Sequence, residues 1–172
     1  MPEITARQAR AMRLKAQRLC PRASSAREVA RAVCGVNAQF KPAMMLSLRA
    51  RLCGAEMEDL SRLIDGRTLV RTWALRGTLH LLCRDDADLI LPLVGPVALA
   101  KTARRRRELG LDDEKLARGL REIRAALEAE SPLTREELVD RLNDRGLGLE
   151  LKSQAPYHLI ASAGLEGVIV LG

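Results

Sequence analysis

The chain has 172 residues, 47% of them apolar and only 2% aromatic, with a formal net charge of +7. That length fits one large domain or two small ones, and a core made of Leu, Ala, Val and Met favours helices. No apolar run is long enough to span a bilayer and the basic N-terminus is not followed by a signal-type apolar segment, so a cytoplasmic protein without a membrane partner is expected.

Thr5 is placed to cap a first helix running to about Leu19. Ala9, Met12, Ala16 and Leu19 form its apolar stripe, with Arg7, Arg10, Arg13 and Arg18 mostly off it. Pro21 ends that helix, and Ser24 or Ser25 caps a second with Val29, Ala30 and Val33 inward, stopped by Gly35. Pro42 suits the first turn of a third helix, which buries Met45, Leu48 and Leu52 and exposes Arg49 and Arg51. A short helix is expected around residues 56–64.

The stretch from Leu69 to Leu82 is the most distinctive part of the chain. Leu69, Thr72 and Trp73 suit one strand and Leu79-His80-Leu81-Leu82 another. Arg76-Gly77 between them is a turn signal, because glycine accepts positive φ without steric cost. Helices followed by a two-stranded ribbon are the pattern of a winged helix, and Arg71 and Arg76 would bring cations to the tip of its wing.

Asp85 or Asp86 caps the next helix, which Pro92, Gly95 and Pro96 are expected to break near Leu91. A further helix from about Pro96 carries Lys101 and the run Arg104-Arg105-Arg106-Arg107, ending at Gly110. Asp112 or Asp113 caps a long helix to about Ala129, with Leu116, Leu120, Ile123 and Leu127 inward. Thr134 and Glu137 form a capping box for a helix that buries Leu138, Val139 and Leu142. A last helix from about Ser153 to Ala163 is followed by an expected strand, Val168-Ile169-Val170-Leu171. The fold expected is therefore mainly α, with tandem winged-helix (helix-turn-helix) domains and a short β-hairpin wing. Residues 1–110 would be the first winged-helix domain with its connecting helices. Residues 111–172 would be the second, incomplete at its C-terminus, as in the front part of a longer protein.

Charge separates the same two parts. Residues 1–107 hold 21 Lys+Arg against 9 Asp+Glu, and residues 108–172 hold 8 against 13. The positive field is concentrated where a polyanion would bind. Most of the cations are arginine, whose planar fork suits phosphates and guanine edges. A GC-rich genome also favours arginine over lysine, but it does not divide the charge between the two parts. Cys20, Cys34, Cys53 and Cys83 lack the close spacing of a zinc knuckle or a redox pair and read as inert core thiols. No Walker loop, dinucleotide fingerprint or zinc-protease motif is present, so no metal or cofactor is expected. His80 and His158 read first as structural residues, with a ligand or base role open to each.

Asn37-Ala38-Gln39, after the second helix and before Pro42, offers two side-chain amides that can donate to a base edge, accept from it, or hold a water. Asn after Gly is also a common helix terminator, and Gln39 can be plain exposed loop. Several segments here resemble the winged-helix DNA glycosylases of the AlkZ and YcaQ type: Arg7-Gln8-Ala9-Arg10, Gly35-Val36-Asn37-Ala38-Gln39, Leu46 to Leu52 and, most specifically, Leu69 to His80. The resemblance implies a DNA-repair enzyme acting on alkylated purines and interstrand crosslinks. It also implies that the family's Gln-x-Gln or Gln-x-Asp motif falls on Asn37 and Gln39, with asparagine one methylene shorter than glutamine at the first position. Members of this type carry a third winged helix and a small β-rich part, which this sequence does not include.

The chemistry fits neutral amides. A purine alkylated at N7 is cationic and its glycosidic bond is already weak, so the protein has to place a water and shelter an oxocarbenium-like sugar. A crosslinked base cannot be flipped fully into a pocket. An open basic surface would suit it, with Arg71, Arg76 and His80 supporting or forming a probing hairpin. Arg49, Arg51, Arg104, Arg105, Arg106 and Arg107 would hold phosphates of double-stranded DNA. Two other readings stand beside this one: a non-catalytic winged-helix DNA binder such as a transcriptional regulator, and a protein-interaction module, which the charge division disfavours. The sequence leaves open whether this chain alone catalyses, and its oligomeric state.

Overall fold

The computed structural model describes residues 4–54, 62 and 68–172. The helix expected around residues 56–64 lies outside the described residues except for Arg62, which is helical. The chain divides into two compact units. The first comprises Met1–Arg71, Thr78–Ala87 and Gly172; the second comprises Thr72–Gly77 and Asp88–Leu171.

In the first unit, α1 (Ala6–Ala16) begins at a capping box: the Gln8 N–H donates to Thr5 Oγ1, and the Thr5 N–H donates to Gln8 Oε1. Its expected apolar stripe is not inward. No residue of α1 is buried, and Met12 is 60% exposed. Ser25 caps α2 (Ala26–Ala32), which buries Ala26, Val29 and Ala30. Two residues of extended chain, β1 (Val36–Asn37), lead to α3 (Lys41–Arg49), with Pro42 in its first turn and Met44, Met45 and Leu48 buried. The end of α3 is tied back beside α2: the Ala23 N–H donates to the Arg51 carbonyl at 2.8 Å and the Cys53 N–H to the Ala23 carbonyl at 3.1 Å.

The ribbon forms where the sequence places it, as β2 (Leu69–Trp73) and β3 (Leu79–Cys83). A short 3₁₀ turn, Leu75–Gly77, joins them, with Arg76 at φ 60° and Gly77 at φ 71°. The sheet has a third strand that the sequence did not suggest. Its order is β1-β3-β2, with Val36 opposite Leu81 and Asn37 opposite His80 in antiparallel register. Two residues are too few to leave a periodic signal. Of the four cysteines only Cys83 is buried; Cys20, Cys34 and Cys53 are exposed, which overturns the reading of all four as core thiols.

One helix, α4 (Arg84–Glu108), runs through both Pro92 and Pro96 where a break was expected. Each proline deprives the carbonyl four residues earlier of a donor. Both prolines are on the exposed side, where water can take those carbonyls. The buried side keeps Leu91 and Ala98. The second unit continues with α5 (Asp113–Ala129), α6 (Arg135–Asp144) and α7 (Ala155–Leu165). Asp112 caps α5, and Thr134 with Glu137 closes a capping box on α6, which buries Leu138, Val139 and Leu142 as expected. Most of α7 is buried, and two close approaches fix its end. A Cβ on Gly95 of α4 would lie 2.5 Å from the Leu165 carbonyl oxygen, and one on Gly164 would lie 2.6 Å from the Trp73 ring. The Thr72 hydroxyl donates to the Gly164 carbonyl at 3.2 Å, and the Trp73 and Tyr157 rings meet edge to face at 6.0 Å. The terminal strand does not form. The Val168 N–H turns back to the Ala163 carbonyl at 2.9 Å and closes the helix end, leaving a single bridge residue at Leu171. No described helix is long and apolar enough to cross a membrane.

Candidate active site

The segment Asn37–Gln39 leaves β1 along the edge of β3. The Ala38 N–H donates to the Leu79 carbonyl at 2.8 Å, as the ladder requires. The next rung is made by a side chain: the Leu79 N–H donates to Gln39 Oε1 at 3.2 Å. A backbone N–H can only donate, so the Gln39 carbonyl oxygen faces it and the amine is turned away. The Gln39 N–H donates to Asn37 Oδ1 at 3.4 Å, an Asx turn that leans the first amide toward the second. Both amides are exposed while Ala38 between them is buried, the alternation of an extended segment.

Arg71 is not at the wing tip. Its Nε donates to the Ala38 carbonyl at 3.0 Å, so both backbone groups between the two amides are occupied. His80 does not project either: it is 4% exposed. Its Nδ1 lies 2.9 Å from the Thr78 carbonyl, which can only accept, so Nδ1 carries a hydrogen and donates it there. Of the two roles expected for His80, supporting or forming the hairpin, its burial leaves the supporting one, on the strand opposite Asn37. Arg76, within the turn, is exposed and has no partner among the described residues.

The remaining arginines sort by geometry. Arg49 is exposed and unpartnered among the described residues. Arg51 holds the end of α1, with Nε donating to the Gln17 carbonyl at 2.9 Å and Nη1 to the Ser47 carbonyl and hydroxyl at 2.8 Å each. Arg27 pairs with Asp85, and Arg31 pairs with Asp86 at 3.0 Å, a bond that holds the Asp86 carboxyl below the usual range. In α4 the run Arg104–Arg107 does not make one basic face, because successive helical residues point about 100° apart. Arg104 is fully out and pairs with Glu108 at 3.0 Å. Arg105 donates to Gln154 Oε1 at 2.9 Å and to Glu108 at 3.2 Å. Arg107 lies 3.8 Å from Asp113. Arg106 is 5% exposed, with Nη1 donating to the Leu99 carbonyl at 2.9 Å and to Thr102 Oγ1 at 2.6 Å, and burial pulls its pKa down. It is a structural cation, which corrects its reading as a phosphate contact.

Sequence reasoning passed over Phe40. It is the only phenylalanine, it follows Gln39 directly, and it is 67% exposed at the start of α3. An unburied aromatic in a chain with so few was the signal. Among the described residues no cluster of three or more His, Cys, Asp or Glu is placed to hold a metal.

The family model for AlkZ-like DNA glycosylases matches residues 30–172, which include the amides, the ribbon and all of the second unit. The chain belongs to the AlkZ-like DNA glycosylase family. An interstrand DNA cross-link repair glycosylase of Streptomyces sahachiroi is 34% identical over 137 residues, covering 79% of this chain and 37% of that protein. The solved structure of Streptomyces sahachiroi DNA glycosylase AlkZ matches with a TM-score of 0.81 at 27% identity, over 99% of this chain and 47% of that one. This AlkZ-like chain thus spans less than half the length of the relatives it matches. Its mainly helical, winged-helix-like fold with a small antiparallel sheet matches that solved structure.

Proposed function

We propose that the chain takes part in DNA repair by binding double-stranded DNA and hydrolysing the N-glycosidic bond of N7-alkylated purines, crosslinked ones included. One observation carries this reading: two exposed amides, Asn37 and Gln39, are held on one face by a side-chain rung and an Asx turn. In the reaction the C1′–N9 bond breaks with its electron pair going to the purine, which quenches the charge at N7. Water adds to C1′ and gives its proton to solvent. Both amides keep acceptor capacity on oxygen to orient that water, since each oxygen has a second lone pair. Arg71 is a positioning residue whose Nη atoms have no partner among the described residues. Arg49 in the first unit, and Arg76, Arg104, Arg105 and Arg107 in the second, supply phosphate contacts. Phe40 supplies a face on which an unstacked base can rest. The winged-helix domains of this reading are residues 1–110 and 111–172. They differ from the compact units chiefly over residues 88–110, within and just beyond α4.

The test is base release from a duplex carrying N7-methylguanine, together with fluorescence anisotropy on undamaged and abasic-analogue duplexes at two salt concentrations. Release of the base, and tighter binding to the damaged duplex, are expected. Equal, salt-sensitive binding to both duplexes without base release would instead identify a non-catalytic winged-helix DNA binder.

A further inference from the structure

Between Asp88 and Lys101, the outer side of α4 carries an exposed apolar stripe. Leu89, Pro92, Leu93, Pro96, Val97 and Ala100 are all exposed, with Leu89 and Leu93 at 68% and 69%. They fall on adjacent i, i+4 rows, so they form one continuous band. Asp88 closes one end and Lys101 the other, both exposed and neither partnered among the described residues. The band is symmetric about the midpoint between Val94 and Gly95. Reflection there exchanges Asp88 with Lys101, Leu89 with Ala100, Pro92 with Val97, and Leu93 with Pro96.

We propose that this band is self-complementary and joins two copies of the chain through antiparallel α4 helices. A two-fold axis requires one patch to match itself, with residue i of one copy against residue j of the other and the reverse. The reflection provides that match: apolar residues face apolar residues, and each Asp88 faces the Lys101 of the other copy. The i, i+4 rows are inclined to the helix axis, so bands laid along one another bring the axes to a crossing of about 50°, the commonest helix-packing class. Pro92 also deprives the Asp88 carbonyl of its i+4 donor. A lysine ammonium arriving from the other copy has three protons, enough for that carbonyl and the carboxylate together. Charge complementarity supports a second copy as the occupant, because an antiparallel copy brings a lysine to each Asp88 and an aspartate to each Lys101.

The test is sedimentation of the chain across a concentration series from about 1 to 200 μM, the range suited to one helix pair per copy. A monomer–dimer equilibrium in the micromolar range is expected. Leu93→Asp should weaken it about tenfold or more, and circular dichroism should be unchanged because Leu93 is exposed. Asp88→Lys and Lys101→Asp should each weaken the dimer several-fold, and the double exchange should restore it to within about twofold. A chain that stays monomeric throughout overturns the proposal and leaves the band to another segment or partner. A dimer that ignores Leu93→Asp, or that the double exchange fails to restore, overturns it equally.

Discussion

Asn37-Ala38-Gln39 and Arg104–Arg107 are both short runs of chemically similar groups, and the backbone treats them in opposite ways. The first is extended, so residues two apart share a face, and its two amides emerge together on either side of a buried alanine. The second is helical, so four like residues point in four directions, one of them inward against Leu99 and Thr102. A cluster in sequence becomes a cluster in space only when its spacing matches the period of the element that carries it.

The sharpest break of that comparison is at its extended side. Gln39→Ala removes the side-chain rung on Leu79 and should lower base release by about 100-fold or more, the scale of a lost positioning group. Duplex affinity by anisotropy should stay within about twofold. Equal loss of both would remove Gln39 from the chemistry. Arg71→Ala, which frees the Ala38 carbonyl, should cost about tenfold in single-turnover rate at saturating DNA. Arg71→Lys should recover less than half of it, since an ammonium does not reproduce the guanidinium fork. Asn37→Gln restores the glutamine that the family resemblance implies and should raise the rate several-fold; an unchanged or lower rate would mean that the shorter amide is already fitted here.

On the helical side, Arg106→Ala should lower stability by about 1–3 kcal/mol in urea unfolding, because buried polar partners lose their donor. The salt dependence of DNA binding should not change. Arg104→Ala or Arg107→Ala should do the reverse, leaving the midpoint in place and reducing the salt slope by about one unit each. If all three behave alike, the run does act as one face.

The smallest effect expected is a pH dependence of stability. Burial, with Arg105 and Arg106 nearby, holds the His158 imidazole below its usual 6.5. A depressed histidine favours the neutral form in the folded state. Its contribution is therefore complete above 6.5 and lost as pH falls through the folded value. Thermal unfolding followed from about pH 8 to 4 should show Tm begin to drop below 6.5, with a steeper loss lower down as Asp86, Glu28 and Glu137 protonate. His158→Gln should remove only the first decline.

Local chemistry made much of the fold legible. Thr5, Ser25, Asp112 and Thr134 announce helix starts because a side-chain oxygen there satisfies an otherwise orphaned N–H. Arg76-Gly77 announces the turn because few residues tolerate positive φ. What failed depended on which way an element faces. The stripe of α1 has helical spacing yet is not buried, the prolines of α4 are tolerated on its exposed side, and Val168–Leu171 has β-rich composition without a ladder. At the candidate site, Asn37 and Gln39 could be proposed from residue type and family likeness. The grip of Arg71 on Ala38 and the burial of His80 could not, because each depends on a partner 33 or more residues away or on strand order.

The end of α7 illustrates how unevenly such a protein can vary. Gly95 and Gly164 meet Leu165 and Trp73 at distances that leave no room for a methyl group. Any side chain larger than hydrogen meets a wall at these two positions. A chain that keeps this packing must keep the same two missing side chains.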